Sequence, residues 1–244
     1  MEDLKTRWNR FANNRAGRDD YFTLTSAHHS LTRALLPLVE QHAAGRILDL
    51  GAGCGAYRAV LARRGTVVAV DIQPCSPALD LLADGRSLPF ASGAFDTVFC
   101  SQVLEHTPQP QHLLVEAHRV LRAGGTLILS APHISYLHAA PHDYYRYTGY
   151  GLESMLQQAG FAPLLIRPAG GLLALLGSLP PTVLLALLPH RPAALVGTVL
   201  WINRLHSRFV VAVDGLFDRG GLFALNFVAV ARKAADSPRA DFEL

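Results

Sequence analysis

The 244-residue sequence predicts an α/β fold, in which a doubly wound, mostly parallel sheet carries helices on both faces. Two observations support this prediction. Short apolar runs with the character of buried strands alternate with segments of helical periodicity. A glycine-rich loop, Gly51-Ala-Gly53-Cys-Gly55, separates the first strand from the helix-compatible run that follows it. In such sheets, ligands bind outside the carboxyl ends of the strands.

The elements follow in order from these patterns. Strands are expected at 46–50, 66–70, 80–83, 95–100, 126–131, 163–167 and 223–231. Helices are expected at 30–42, with a kink at Pro37, at 56–64, at 110–122, and from Thr148 as N-cap to Gly160 as stop. Residues 1–27 read as polar and irregular.

Composition limits the classes of function. Half of the residues are hydrophobic and 17% are charged, which favours a well-buried core over disorder. The net charge is +3, and the basic residues are scattered arginines without a dense stripe, so no nucleic-acid partner is expected. Three cysteines without CxxC spacing indicate neither disulfides nor a zinc site. The N-terminus has no apolar signal segment, which predicts a cytoplasmic protein.

The glycine loop predicts a cofactor that contains adenosine. Its glycines allow positive φ and close approach of a ligand to the backbone. Asp71 ends the second strand about twenty residues further on, where a carboxylate can bind ribose hydroxyls. The same glycines also satisfy the dinucleotide pattern, which would make the chain an NAD(P)-dependent oxidoreductase. Asp49 disfavours that alternative, because its carboxylate would repel a pyrophosphate and would suit a cationic amino-acid end.

Four further motifs follow in order: Leu88-Pro-Phe behind Ala83-Asp84-Gly85, Phe95-Asp-Thr-Val98, Leu104-Glu-His106, and Arg119-Val-Leu-Arg-Ala-Gly-Gly125. With the glycine loop, they closely resemble the class I S-adenosylmethionine-dependent methyltransferases of the small-molecule or lipid type, over residues 45–162. The resemblance implies a seven-stranded Rossmann-like sheet with an antiparallel last strand. It also implies S-adenosylmethionine as cofactor and methyl transfer as the activity.

The resemblance assigns a cofactor site residue by residue. It gives the methionine end to Asp49 and the backbone of Gly51, Gly53 and Gly55, the ribose to Asp71, the adenine to Ile72, Asp84 and Gly85, and the surroundings of the sulfonium to Ser101 and Gln102. The alternative for Asp84 is a loop-capping role. Ser101 and Gln102 are equally compatible with a purely structural role.

The acceptor site is expected in the loops after residues 101 and 131. His133, His142 and Asp143 are the candidate catalytic bases, because histidine titrates near neutrality and can accept a hydroxyl proton. His106, Tyr145 and Arg146 are the candidate acceptor-binding residues, with Arg146 suited to an anionic group. Alternatively, Asp143 and Arg146 pair with each other and the tyrosines pack under the next helix. The potential ligands in 133–143 match no zinc spacing, so no metal is expected.

Residues 170–220 form a strongly apolar insertion before the last strand. It is interrupted by Pro180-Pro181, which disfavours a membrane span. A lid over an apolar acceptor, a membrane-contacting patch flanked by arginines, a dimer interface and additional core all remain open. The sequence therefore predicts four segments: a helical cap at 1–45, a methyltransferase core at 46–169 and 221–233, the insertion at 170–220, and a flexible tail at 234–244. The predicted activity is O-methylation of a small or lipid-linked acceptor, at the inner face of the membrane if the insertion binds lipid. A non-catalytic scaffold at a membrane assembly is the alternative.

Overall fold

A computed structural model describes residues 3–74, 79–138, 140–188, 192–218 and 220–234. Its centre is a seven-stranded sheet of order β3-β2-β1-β4-β5-β7-β6. The strands are β1 Gly45–Leu50, β2 Gly65–Asp71, β3 Leu81–Leu82, β4 Phe95–Ser101, β5 Leu121–Pro132, β6 Phe161–Ala169 and β7 Asn226–Lys233. β7 runs antiparallel to β5 and β6, and the remaining pairs are parallel. The predicted α/β fold and its antiparallel last strand are confirmed.

Seven helices flank the sheet in the described part of the chain: α1 Leu4–Asn13, α2 Ser26–His42, α3 Arg58–Leu61, α4 Pro110–Val120, α5 Gly149–Gln158, α6 Leu172–Ala186 and α7 Ala193–Phe217. The predicted cap of α5 is present, since the Thr148 hydroxyl accepts a hydrogen bond from the Gly151 N–H at 3.0 Å. α3 is shorter than the predicted 56–64, because the turns of the glycine loop extend to Tyr57.

The sheet is buried on both faces. Leu48 and Leu50 of β1 belong to one core cluster, with residues of α4 and α5. Ile47 belongs to a second cluster on the opposite face, with residues of α2 and α3. This alternation follows from the two-residue side-chain period of a strand. It places Asp49, a charged residue inside an otherwise apolar strand, on the same side as Ile47.

The expectation that residues 1–27 are irregular is wrong. Asp3 caps α1 by accepting the Thr6 N–H at 2.7 Å, and α2 begins at Ser26 rather than Ser30. α1 presents Trp8 and Phe11 to a third apolar cluster that also contains Leu185 of α6. Two aromatic residues give too short an apolar repeat for the sequence to reveal the helix.

The prolines of the insertion do not interrupt its first helix, contrary to expectation. α6 continues through Pro180 and Pro181. Pro181 has no N–H for the carbonyl of Gly177, four residues earlier. The His206 side chain of α7 supplies the missing donor, with Nε2 2.9 Å from the Gly177 oxygen. Within the described residues, no helix combines the length and apolarity needed to cross a bilayer.

Candidate cofactor and acceptor site

One cavity of about 870 Å³ lies at the carboxyl ends of β1, β2, β4 and β5. This volume is within the usual range of ligand sites. The cavity extends from the glycine loop to the loop after β5, where His138 and His142 line it. Trp8, Leu31 and Leu175 contribute from α1, α2 and α6, so the N-terminal helices and the insertion together cover the end of the sheet.

The loop needs glycine at its different positions for different physical reasons. A Cβ on Gly51 would lie 2.3 Å from a Val103 methyl group, and its φ is +75°, so Gly51 is required by packing and by backbone conformation. Gly53 has a φ of +52°, and a Cβ added to it would meet no heavy atom of the described residues within 4 Å, so it faces open space in the cavity. Gly55 has positive φ but is not among the described residues that line the cavity.

Asp49 is a buried carboxylate on the wall of this cavity. Its side chain is 3% exposed, and Oδ2 has no hydrogen-bond partner among the described residues. Burial raises the pKa of Asp49 to about 7, and Asp71 adds a smaller repulsion against the opposing effect of Arg58. An orphaned carboxylate oxygen beside an open glycine fits the ammonium group of an amino-acid ligand.

Asp71 and Ile72 lie beside the glycine loop. Asp71 Oδ2 accepts the Gly53 N–H at 2.8 Å and Oδ1 accepts the Gln73 N–H at 2.9 Å, so the carboxylate is held in one orientation. Each oxygen keeps a further lone pair for a hydroxyl group. Ile72 is 65% exposed at the cavity, an apolar surface that an aromatic base would cover.

Asp84 and Gly85 also line the cavity, but the Asp84 carboxylate is engaged within its own loop. It accepts the Arg86 N–H at 2.9 Å and pairs with the Arg86 guanidinium at 2.6 Å. These bonds hold the pKa of Asp84 below its usual value. The loop-capping alternative therefore describes the observed contacts.

Ser101 and Gln102 line the cavity at the end of β4. Their side chains converge on the Ser130 hydroxyl of β5, at 2.8 Å from Ser101 Oγ and 3.2 Å from Gln102 Nε2. Gln102 has a φ of +58°, which is uncommon outside glycine. Such backbone strain is often found at ligand sites.

The His142–Tyr147 run connects the loop after β5 to the turn after β4. The Tyr144 N–H donates to the Glu105 carbonyl at 2.8 Å, and the Tyr147 hydroxyl donates to the Leu104 carbonyl at 3.0 Å. The Tyr145 hydroxyl donates to the Pro108 carbonyl at 3.0 Å. This part of the chain therefore fixes the two loops against each other.

Asp143 and Arg146 pair with each other, which argues against the roles expected for them. The Arg146 guanidinium donates to the two carboxylate oxygens of Asp143 at 2.6 and 2.9 Å, and the Asp143 side chain is 1% exposed. Arg146 also donates to the carbonyls of Tyr136 and Tyr145 at 3.0 and 2.7 Å. The pair holds the pKa of Asp143 well below its usual value, so Asp143 is a poor base. Arg146 has its donors occupied and is unsuited to bind an anionic acceptor.

Of the six residues expected at the acceptor side, only His106 and His142 are among the described residues that line the cavity. The His133 ring packs against Phe227 with centroids 5.5 Å apart. Sequence reasoning missed two residues near this site. Glu105 is fully buried beside His106, and His138 lies with its Nε2 3.2 Å from His106 Nε2. Burial raises the pKa of Glu105 to about 8. Both residues lie within the motifs or loops considered, but only the fold brings them together.

Comparisons with known proteins agree with this geometry. Residues 48–129 match the family model of a methyltransferase domain. An uncharacterized methyltransferase of Mycobacterium sp. (strain JLS) is 42% identical over 94 residues, which cover 34% of this chain and 37% of that protein. The 27-O-demethylrifamycin SV methyltransferase of Amycolatopsis mediterranei (strain S699) is 29% identical over 128 residues, covering 46% of this chain and 47% of that protein. The chain spans just over a third of the length of the first curated relatives it matches.

Solved structures that share the fold include the following two. The [4+2]-cyclase SpnF superposes with a TM-score of 0.60 at 17% identity, covering 86% of this chain and 83% of that one. The 1,6-didemethyltoxoflavin-N1-methyltransferase of Burkholderia thailandensis, solved with S-adenosylhomocysteine bound, superposes with a TM-score of 0.56 at 19% identity, covering 94% and 88%. The match over residues 48–129 and the strand order are those of an S-adenosylmethionine-dependent methyltransferase domain with the class I fold.

Proposed function

We propose that the protein transfers the methyl group of S-adenosylmethionine to an oxygen of a small or lipid-linked acceptor. The observation that carries this proposal is that one cavity joins the orphaned Asp49 carboxylate and the open Gly53 to the histidines of the loop after β5. A donor and an acceptor can therefore lie side by side in one cavity, which is the main requirement of an in-line displacement.

Each half of the cavity has a defined task in this proposal. Asp49 binds the ammonium of the methionine end, Asp71 the ribose hydroxyls, and Ile72 one face of the adenine. S-adenosylmethionine supplies a methyl group activated by its sulfonium. On the acceptor side, His142 is the candidate base that still reaches the cavity. Asp143 and Arg146 are positioning residues, because they hold the loop that carries the histidines.

An oxygen acceptor is supported by one relative and by the site. The Amycolatopsis relative is named for a 27-O-demethylrifamycin SV substrate. In this chain, histidines adjoin the acceptor end of the cavity, and a hydroxyl acceptor needs a group that takes or weakens its proton. Methyl transfer is tested by incubating the purified protein with methyl-labelled S-adenosylmethionine and a lipid extract or a panel of phenols and sugars. Tight binding of S-adenosylhomocysteine without turnover on any acceptor would instead favour the scaffold.

A lipid-linked acceptor is supported by the insertion. Thirteen of the 25 large hydrophobic side chains that are exposed in the described residues lie in the insertion, from Leu172 to Phe217, and Leu222 and Phe223 follow directly after it. A soluble monomer rarely exposes so concentrated an apolar surface unless it binds something.

The α7 helix buries mainly polar side chains, which is the reverse of the usual pattern of an amphipathic helix. Three of its four buried residues are polar, namely Asn203, Ser207 and Asp214. The Asn203 amide donates to the Leu24 carbonyl, and the Asp214 carboxylate accepts the Gly171 N–H at 2.7 Å and the Leu173 N–H at 2.9 Å. These contacts fix α7 by hydrogen bonds to Leu24 and to the start of α6, and they leave large apolar side chains such as Trp201, Phe209 and Phe217 exposed.

The outer surface of α6 and α7 therefore combines apolar and basic groups. Trp201, Phe209 and Phe217 are 63%, 70% and 79% exposed. Arg204 and Arg208 are exposed among them, whereas Asp214 is buried. We assign this surface to an anionic bilayer, because its charge is complementary to phosphate headgroups and its apolar side chains can enter the interface.

Flotation of the full chain with vesicles tests whether the protein binds a bilayer. Vesicles of phosphatidylcholine and phosphatidylglycerol should carry the wild type upward, and the double variant Phe209→Ser/Phe217→Ser should stay at the bottom. Tyr150→Ser, which alters an 88% exposed aromatic outside the insertion, is the matched control and should float. A wild type that stays at the bottom, or that forms a dimer lost in the same double variant, would refute membrane docking.

A further inference from the structure

Three potential metal ligands converge where β4 and β5 end. Glu105 and His106 belong to a short 3-10 turn after β4, and His138 belongs to the loop after β5. One ligand atom from each side chain lies within 4.8 Å of the other two. Both histidines line the cavity, so the cluster adjoins the acceptor end of the site.

The two imidazoles are oriented by backbone carbonyls. His106 Nδ1 lies 2.7 Å from the His142 oxygen, and His138 Nδ1 lies 3.2 Å from the Tyr136 oxygen. A carbonyl can only accept, so each Nδ1 carries a proton, and a ring in its neutral form then presents a lone pair at Nε2. Those two Nε2 atoms are 3.2 Å apart. Such lone pairs repel each other unless a proton or a metal ion lies between them. Orientation of a ligating histidine through its other nitrogen is typical of metal sites.

Glu105 provides evidence for a bound metal ion that is independent of the two histidines. Its side chain is fully buried, and neither carboxylate oxygen has a hydrogen-bond partner among the described residues. Oε1 lies 3.7 Å from His106 Nε2, which is too long for a hydrogen bond. Arg146, the nearby cation, is occupied by Asp143. A buried carboxylate without a donor is costly, and a metal ion is one of the few partners that offsets this cost.

We infer that Glu105, His106 and His138 form a binding site for a divalent transition metal such as zinc. Tetrahedral coordination with bonds of about 2.0–2.2 Å places ligand atoms roughly 3.3–3.6 Å apart. Two of the three separations, 3.2 and 3.7 Å, are close to that spacing, and the third is no longer than 4.8 Å. A set of two imidazoles and one carboxylate is a usual donor set for zinc, and three protein ligands leave one position open toward the cavity.

The role of this site rests on the proposed O-methyl transfer. An acceptor hydroxyl at the open position would have its pKa lowered by the metal, so its proton would pass more readily to the candidate base His142. The oxygen then forms a bond to the methyl carbon as the carbon–sulfur bond breaks, which leaves neutral S-adenosylhomocysteine. This role identifies the acceptor as one with a hydroxyl that can approach His106 and His138.

Metal binding is tested directly on the full chain after treatment with a chelator and dialysis. Titration calorimetry with zinc chloride should show one equivalent bound, and cobalt(II) should give the visible absorption of a tetrahedral complex. His138→Ala should weaken zinc binding at least tenfold. Glu105→Gln should do the same while keeping the fold, since it removes only a buried charge. His112→Ala, which alters an exposed histidine, is the matched control for surface binding and should bind as the wild type does.

Three outcomes have defined meanings. Zinc binding that is absent, or equally strong in His138→Ala and Glu105→Gln, overturns the site. One equivalent bound through these residues supports the site even if no acceptor is methylated, in which case the proposed function fails alone. Methyl transfer that is unchanged by the chelator and by His138→Ala overturns the role of the metal in the reaction.

Discussion

Replacing Asp49 with asparagine should have opposite effects on stability and on cofactor binding. Burial raises the pKa of Asp49 from 3.8 to about 7 in the folded protein. The unfolded chain releases this proton near pH 3.8, whereas the folded protein holds it up to about pH 7. The free energy of unfolding therefore falls as pH rises through this window, by about 4 kcal/mol in all. An asparagine has no such dependence.

The stability gained by Asp49→Asn depends on the hydrogen bonds of the new asparagine amide. Asparagine leaves its own buried hydrogen-bonding groups unmet, at a cost of about 1–3 kcal/mol. The net gain of Asp49→Asn at pH 8 is therefore roughly 1–3 kcal/mol. The change in that gain between pH 5 and pH 8 does not include the amide cost, which is the same at both values. We expect this change to be about 3 kcal/mol.

Binding should respond in the other direction. At pH 8 the carboxylate is ionised and can pair with the ammonium of S-adenosylhomocysteine. A hydrogen bond between two charged groups contributes about 1.5–3 kcal/mol, so Asp49→Asn should weaken binding roughly ten- to hundredfold. The proton that Asp49 holds below pH 7 must leave when the ammonium binds. The affinity of the wild type should therefore rise with pH up to about 7.

Urea unfolding at pH 5 and pH 8 measures the stability, and titration calorimetry with S-adenosylhomocysteine measures the affinity. Asp19→Asn, which alters an exposed aspartate, is the control and should change neither quantity. If Asp49→Asn is no more stable relative to wild type at pH 8 than at pH 5, the carboxylate is not buried as described. If its affinity for S-adenosylhomocysteine equals that of the wild type, Asp49 does not bind the ammonium.

Three further substitutions test separate parts of the structure. Gly53→Ala should cost about 1 kcal/mol of stability, because alanine is strained at the positive φ of this position. It should also weaken S-adenosylhomocysteine binding at least tenfold, because the added methyl group would enter the cavity. Calorimetry showing unchanged affinity would contradict this. Arg146→Ala should lower the free energy of unfolding by about 3–5 kcal/mol, since it leaves the Asp143 carboxylate unpaired; a loss below 1 kcal/mol in urea would mean that the pair is solvated. His206→Leu should cost about 1–3 kcal/mol, because the Gly177 carbonyl loses its donor; thermal melting identical to wild type would show that water replaces the imidazole.

The sheet was predictable because its sequence signals are local. A strand needs only a run of apolar residues, and a loop or a cap needs only one or two special residues, as Gly51 and Thr148 illustrate. The helix α1 was missed because its buried face consists mainly of Trp8 and Phe11. The continuous α6 was missed because the donor that replaces the N–H of Pro181 is His206, which lies 25 residues further along the chain.

The acceptor site was less predictable because its contacts join distant parts of the chain. Asp143 and Arg146 have the residue types of a base and an anion site, and only the structure shows that they neutralise each other. Glu105 lies within a motif that the sequence identifies, but its lack of a partner among the described residues depends on burial. His138 lies 32 residues from His106, a separation that no spacing rule for metal ligands covers.

The position of α6 connects the proposed membrane surface to the cavity. Leu175, Ser178 and Thr182 line the cavity, whereas Leu176 and Leu179 are about half exposed on the outside of the same helix. A helix with its side chains is about 10–12 Å in diameter. A bilayer that contacts the outer side of α6 would therefore lie about one helix diameter from the cavity. A lipid-linked acceptor needs only this short path to bring its hydroxyl to the histidines while its tail stays in the membrane.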